Sequence, residues 1–169
     1  MSHQDSSTQH PLKAAILIAS DRAASGIRQD ETLPLLTRHL EARGIELAES
    51  EVLPDDQNKI VATLREWANP DIDIILISGG TGVSPSDVTP EATLEVIEKR
   101  IPGIEEAMRH ASMQKTPFAM LSRAVAGIAG STLIVNLPGK PEAAVENLAV
   151  IDPVLSHAVE LIRGGNPHE

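Results

Sequence analysis

Three stretches of the chain are apolar without alternating: Ala14-Ala15-Ile16-Leu17-Ile18-Ala19, Ile74-Ile75-Leu76-Ile77 and Leu133-Ile134-Val135. Continuous runs of this length and β-branched content suit strands covered on both faces, as in a parallel sheet flanked by helices. The segment from Leu47 to Leu53 adds a further strand. Between the strands the spacing turns helical. Ile60, Leu64, Trp67 and Ala68 fall at i, i+4, i+7 and i+8, and Leu94, Ile97 and Ile101 at i, i+3 and i+7. Ala144, Leu148, Ile151, Leu155, Val159 and Ile162 continue that spacing near the C-terminus, where Pro153 predicts a kink or a division into two helices. Thr89-Pro90-Glu91 has the chemistry of a helix start, with Thr as cap, Pro in the first turn and Glu at the positive dipole end. Pro102-Gly103 divides the helical region that follows, and Gly127 and Gly130 predict a bend or hairpin before the last strand. Strand and helix alternating in this way predict a doubly wound α/β architecture.

With 169 residues the chain has the length of one domain, read here as 13–163 between polar tails at 1–12 and 164–169. The absence of Cys excludes thiol catalysis, Fe–S clusters and thiolate metal sites. One Phe, one Trp and no Tyr leave an aliphatic core and no aromatic platform for stacking bases. The balance of 14 Lys+Arg against 24 Asp+Glu gives a net charge of −10, which repels a nucleic-acid backbone. The longest apolar run, Ala14 to Ala19, is far short of the ~20 residues that span a membrane. A cytoplasmic protein with neither nucleic acid nor membrane as partner is expected. The six histidines show no ligand spacing, and Met108, Met113 and Met120 read as core filler with Trp67 as a helix-face anchor.

The candidate chemistry gathers at the carboxyl ends of the strands. Ser20-Asp21 follows the first strand, Pro54-Asp55-Asp56 the second, Gly79-Gly80-Thr81-Gly82 the third, and Asn136-Leu137-Pro138-Gly139 closes the last. In an open parallel sheet those ends share one edge, and ligands bind in the crevice outside it. Glycines at 79, 80 and 82 let backbone N–H groups approach an anion, although a tight strand-to-helix turn needs the same residues. Val83-Ser84-Pro85 follows, so this is neither a dinucleotide fingerprint nor a P-loop. Asp21, Asp55 and Asp87 read singly as helix caps; together at one edge they could hold a hard cation such as Mg²⁺. Arg22, Arg28, Arg123 and Lys140 adjoin these loops and could meet phosphates, with an ordinary surface role the alternative for each.

Several blocks carry a family resemblance. They are Ser20-Asp21-Arg22-Ala23-Ala24-Ser25-Gly26, Leu53-Pro54-Asp55-Asp56, Gly79-Gly80-Thr81-Gly82 with Asp87-Val88-Thr89-Pro90-Glu91-Ala92-Thr93, Thr116-Pro117-Phe118-Ala119-Met120-Leu121-Ser122-Arg123, and Leu137-Pro138-Gly139-Lys140-Pro141. In order and spacing they resemble the MogA/MoaB family of molybdenum-cofactor biosynthesis, the MogA branch most, and the matching domain of gephyrin-like proteins. The resemblance implies a three-layer αβα fold with a mostly parallel sheet, commonly assembled as a homotrimer. It implies transfer of AMP from Mg-ATP to the terminal phosphate of molybdopterin, releasing pyrophosphate, with hand-over to a molybdate-insertion protein. By motif, Asp55 and Asp87 correspond to the essential aspartates and metal ligands, and Gly79, Gly80, Thr81 and Gly82 to the nucleotide-phosphate loop. Ser20, Asp21, Ser122, Asn136, Pro138 and Gly139 match the pterin region.

The nucleophile in that reaction is a phosphate monoester, already mostly dianionic at neutral pH, so no general base is needed. Bringing two polyanions together is the obstacle, and positioning and charge neutralisation are the expected means. A non-catalytic pterin carrier of the MoaB type would share the fold, and Mg-ATP binding separates the two readings.

Overall fold

The computed structural model describes residues 10–166. Most of the expected N-terminal tail (1–9) and the last three residues (167–169) lie outside the described residues. Six strands form one sheet in the order β2-β1-β3-β6-β5-β4. Strands β1 (Lys13–Ala19), β2 (Glu46–Leu53), β3 (Ile74–Ser78) and β6 (Thr132–Leu137) run parallel; β5 (Ala126–Ala129) and β4 (Lys99–Arg100) extend the sheet antiparallel.

The uninterrupted apolar runs are explained by two covered faces. Along β1, Ala14, Ile16 and Ile18 point into one core and Ala15, Leu17 and Ala19 into the other; Ile74 and Leu76 oppose Ile75 and Ile77 in the same way on β3. The first core is closed by α2 (Thr32–Ala42), α5 (Pro102–Met113) and α6 (Pro141–Ile162), through Leu36, Leu40, Met108, Leu148 and Leu155. The second is closed by α3 (Gln57–Trp67) and α4 (Thr89–Val96), through Ile60, Leu64, Trp67 and Ala92. The result is the three-layer, mostly parallel α/β arrangement that the sequence predicts. A single turn, α1 (Asp21–Ala24), follows β1.

Four expectations are corrected. Pro153 does not split the last helix: α6 is continuous for 22 residues. Pro153 and Ala149 both sit on its exposed side, so water can satisfy the carbonyl that lacks an intrahelical donor. The helix expected to reach Ile101 ends at Val96, because Ile97 turns extended and the next residues pair with β5. Glu98 N–H donates to Ile128 and Ile101 N–H to Ala126; a Cβ on Gly127 would stand only 2.5 Å from Ile97 and the Lys99 carbonyl. The glycine thus permits the edge strand as well as the hairpin into β6. Thr89 does not cap α4: Val88 occupies the N-cap position, and the Thr89 hydroxyl is buried inside. Of the methionines among the described residues, only Met108 is core; Met113 and Met120 are exposed.

Leu76 lies on β3 between β1 and β6 and is wholly buried. Leu76→Ala is expected to lower the free energy of unfolding by about 2–5 kcal/mol in a urea titration.

Candidate active site

Strand order reverses between β1 and β3, since the chain leaves β1 towards β2 on one side and returns to β3 on the other. The crevice at this switch point is the expected place for a ligand. A cavity of about 400 Å³ opens there, lined by Ser20 after β1, Asp55 after β2, Gly79 to Gly82 and Asp87 after β3, and Gly139 after β6. The four loops that the sequence placed at one edge do meet.

The glycine loop is shaped by contact with its neighbours. Gly79 has φ +101°, and a Cβ on it would collide with the Ala19 carbonyl oxygen at the end of β1. Its N–H donates to Leu137, while Ser78 Oγ donates to Pro138 at 2.7 Å. Gly80, at φ +65°, leaves room for the Thr89 hydroxyl and for Asp55 Oδ1, which would be 2.5 and 3.2 Å from a Cβ. No acceptor among the described residues takes the amides of Gly80, Thr81 or Gly82. Free backbone donors lining a cavity form a cradle for an anion.

The three aspartates have different tasks. Asp55 and Asp21 clasp each other's loops: Asp55 N–H donates to Asp21 Oδ1 at 2.9 Å and Asp21 N–H to Asp55 Oδ2 at 3.3 Å. Asp55 Oδ1 is buried with no partner among the described residues. Desolvation by partial burial pushes the Asp55 carboxyl above its ordinary range; the Asp21 amide opposes this, and the charges of Asp21 and Asp87 add to it. Capping of α3 falls instead to Asp56, whose Oδ1 accepts from Lys59 N–H at 3.1 Å. Asp87 also caps no helix. Its Oδ2 accepts from Ser84 N–H at 2.9 Å and would be 2.8 Å from a Cβ on Gly82, so the carboxylate stands against the glycine loop. An orphaned buried carboxylate oxygen, with a second carboxylate on the same cavity, fits the donor set of a hard cation. Asp21 faces an outer groove with Arg22 and Lys59 and does not line the cavity.

A second cavity of about 280 Å³ adjoins the first and shares Thr81, Gly82 and Lys140 with it. Ser122 and Pro138 line it, together with Met108, Phe118 and Leu121. Its lining is therefore the more apolar of the two. Asn136, expected in the pterin region, lines neither cavity. It is fully buried, with Oδ1 accepting from Val125 N–H at 3.1 Å and Nδ2 donating to Thr93 Oγ1 at 2.9 Å. Its amide ties β6 to α4, which the motif cannot distinguish from ligand contact.

Arg123 also turns inward. Its Nε donates to the Gly82 carbonyl at 2.7 Å, Nη2 to the Asp87 carbonyl at 3.0 Å, and Nη1 pairs with Glu91. The guanidinium thereby staples the loop that carries Gly82 and Asp87 onto the start of α4. Hydrogen bonding from Arg123 holds the Glu91 carboxyl below the usual glutamate range. This hold is complete above that range and fades as pH falls through the lowered value. Sequence reasoning missed Asp30 and Thr32, which line the cavity at the start of α2. Asp30 accepts from Thr32 N–H at 3.1 Å and Leu33 N–H at 3.0 Å. The signal was present as an Asp two residues before a helix whose leucines recur at 33, 36 and 40.

Residues 15–157 match the family model described as "Probable molybdopterin binding domain". The chain belongs to this molybdopterin-binding family. It is 41% identical over 140 residues to the molybdopterin adenylyltransferase of Haemophilus influenzae, covering 81% of this chain and 71% of that one. It is 36% identical over 155 residues to the molybdenum cofactor biosynthesis bifunctional protein of Chlorobaculum tepidum. That match takes in 92% of this chain but only about half (49%) of the relative's length. Among solved structures, the molybdopterin biosynthesis enzyme MoaB of Thermus thermophilus superposes with a TM-score of 0.85 at 44% identity, covering 94% of this chain and 99% of that one. The molybdopterin-binding domain thus has the MogA/MoaB fold, and its switch-point crevice is built from the blocks that carry the resemblance.

If Arg123 staples the loop, Arg123→Met frees it without opening the core. Hydrogen exchange at the amides of Ser84 and Asp87, which bond each other across the loop, is expected to quicken about tenfold or more, with exchange in β1 and β3 unchanged.

Proposed function

We propose that the chain is a molybdopterin adenylyltransferase, a nucleotidyltransferase that moves AMP from ATP to the terminal phosphate of molybdopterin. One observation carries the reading. A cradle of free amides and three carboxylates in one cavity adjoins a more apolar cavity across a shared wall. That pairing suits a polyphosphate beside a flat heterocycle. The 41% identity to a protein of that name supports the choice of reaction.

The amides of Gly80, Thr81 and Gly82 would hold nucleotide phosphate, and Ser122, Pro138 and the neighbouring apolar side chains the pterin. Ser20 and Gly139 line the nucleotide cavity rather than the apolar one; in this reading they bound the place where the pterin's phosphate meets ATP. Asp55 and Asp87 would hold Mg²⁺, which supplies positive charge against the nucleotide phosphates. A pterin-phosphate oxygen attacks the α-phosphorus as the bond to the β-phosphate oxygen breaks, and pyrophosphate leaves. No proton need be removed from the nucleophile, so neither aspartate serves as a base. Their work is to orient charge before the reaction, where fixed groups cost no reorganisation. A single domain over 13–163, a homotrimer, a cytoplasmic location and hand-over of product to a molybdate-insertion protein belong to the same proposal and rest on the family resemblance.

The test follows α-labelled ATP into an adenylyl-pterin product with freshly released molybdopterin and Mg²⁺. Asp55→Asn and Asp87→Asn are each expected to reduce transfer about 10²-fold or more. Because Asp55 is partly desolvated beside like charges, Asp55→Asn should unfold no more easily than the wild-type chain. Pterin binding without label transfer by the wild-type protein would overturn the enzyme in favour of a carrier.

A further inference from the structure

Four cationic side chains adjoin the site loops, and the structure gives them different surroundings. Arg123 is committed to Glu91 and two loop carbonyls. Arg22 faces the outer groove with Asp21 and Lys59. Arg28 reaches the rim of the nucleotide cavity and donates from Nη2 to Ser20 Oγ at 3.3 Å. Lys140 is exposed, lines both cavities, and has no carboxylate or carbonyl partner for its ammonium among the described residues. A fifth cation, Arg109, lines the apolar cavity but donates to the Ser122 carbonyl at 2.9 Å and the Ala124 carbonyl at 3.1 Å. Among the described residues, Lys140 is therefore the free positive charge at the seam between the two cavities.

Its backbone is held in place while its ammonium makes no bond to the described residues. Gly139 packs against Gly79, with the Gly79 Cα 3.4 Å from a Cβ built on Gly139. The Gly139 carbonyl accepts from Thr32 Oγ1 at 3.4 Å, and Lys140 is the N-cap of α6, its carbonyl accepting from Ala144 N–H. A rigid anchor with a mobile ammonium lets one residue follow a charge that moves between neighbouring sites.

We propose that Lys140 is a catalytic residue of the adenylyl transfer, its ammonium touching the α-phosphoryl group as it passes from pyrophosphate to the pterin phosphate. This rests on the adenylyltransferase reading. Asp30, Asp55 and Asp87 surround the nucleotide cavity with negative charge. The phosphoryl group in transit gathers further negative charge on its equatorial oxygens. Lys140 meets that charge at the one wall common to both substrates. The bond made is pterin-phosphate oxygen to α-phosphorus, and the bond broken is α-phosphorus to the β-bridging oxygen. The ammonium keeps its proton throughout, and pyrophosphate carries away the electron pair.

Two variants and two readouts test this on the full chain. Lys140→Met is expected to lower kcat about 10- to 100-fold while KM for ATP moves less than about threefold, and Lys140→Arg should recover most of the loss. Because the side chain makes no bond within the described residues, the urea midpoint of Lys140→Met should match wild type. A kcat within about twofold of wild type, or a Lys140→Arg no better than Lys140→Met, overturns the proposal. Inorganic pyrophosphate titrated calorimetrically in excess Mg²⁺ reads the anion contact independently of turnover. Lys140→Met should weaken its binding about fivefold or more, and an unchanged affinity overturns the contact. If the wild-type chain transfers no AMP yet this difference stands, the adenylyltransferase reading fails and the anion contact of Lys140 survives.

Discussion

The carboxyl ends of β1 and β3 come so close that the first residue beyond β3 has no space for a side chain. Gly79 lies against the Ala19 carbonyl, and only a glycine holds φ +101° there without strain. The rest of the site depends on that contact. It turns the chain sharply off the sheet, so that the next three amides leave the ladder and face the crevice. It brings Gly80 beside Asp55 and Thr89, and Gly82 beside Asp87. The second close approach, Gly139 on Gly79, sets the β6–α6 turn on the same spot and with it the anchor of Lys140. Glycines meeting glycines at a switch point are a packing constraint first; the anion cradle is what that packing leaves exposed.

The site is also built of negative charge that the fold does not neutralise. Asp55 Oδ1 is buried and unpartnered among the described residues, a position that costs free energy unless something outside the protein meets it. Cations that could have met it are used elsewhere: Arg123 in stapling the loop and Arg109 in holding the 122–124 segment. The chain thus commits these two guanidinium groups to rigidity, and the cavity keeps its carboxylates and amides with only Arg28 and Lys140 beside them. That division suits electrostatic preorganisation, in which fixed groups wait at the place where charge develops.

The strands were legible because each is covered on both sides and so carries an unbroken apolar run. The convergence of four loops was legible for the same reason, since a parallel sheet puts all strand ends at one edge. Individual roles were less so. Asp55 and Asp56 are neighbours of one type, and only the structure shows that the second caps α3 while the first keeps a free oxygen. Asn136 sits in a motif with Pro138 and Gly139, yet strand pleating turns its side chain into the core while the next turn carries the others to the cavity. The short β4 left no pattern at all. A two-residue edge strand has no period, and its pairing depends on Gly127, nearly thirty residues later.

A cavity lined by three carboxylates in a chain of net charge −10 repels a bare polyphosphate. In the proposed reading the cavity would accept one that arrives with a hard cation, because the carboxylates would then complete the ion's oxygen shell. On that reading the acidity is a selection rule rather than an obstacle: the amide cradle alone would take any small anion, and the aspartates would restrict it to anions that bring positive charge. What would remain unbalanced, with such a ligand seated, is the negative charge of the proposed second substrate at the shared wall. A single mobile ammonium there is the smallest device that offsets it without giving the resting cavity a strong affinity for stray phosphate.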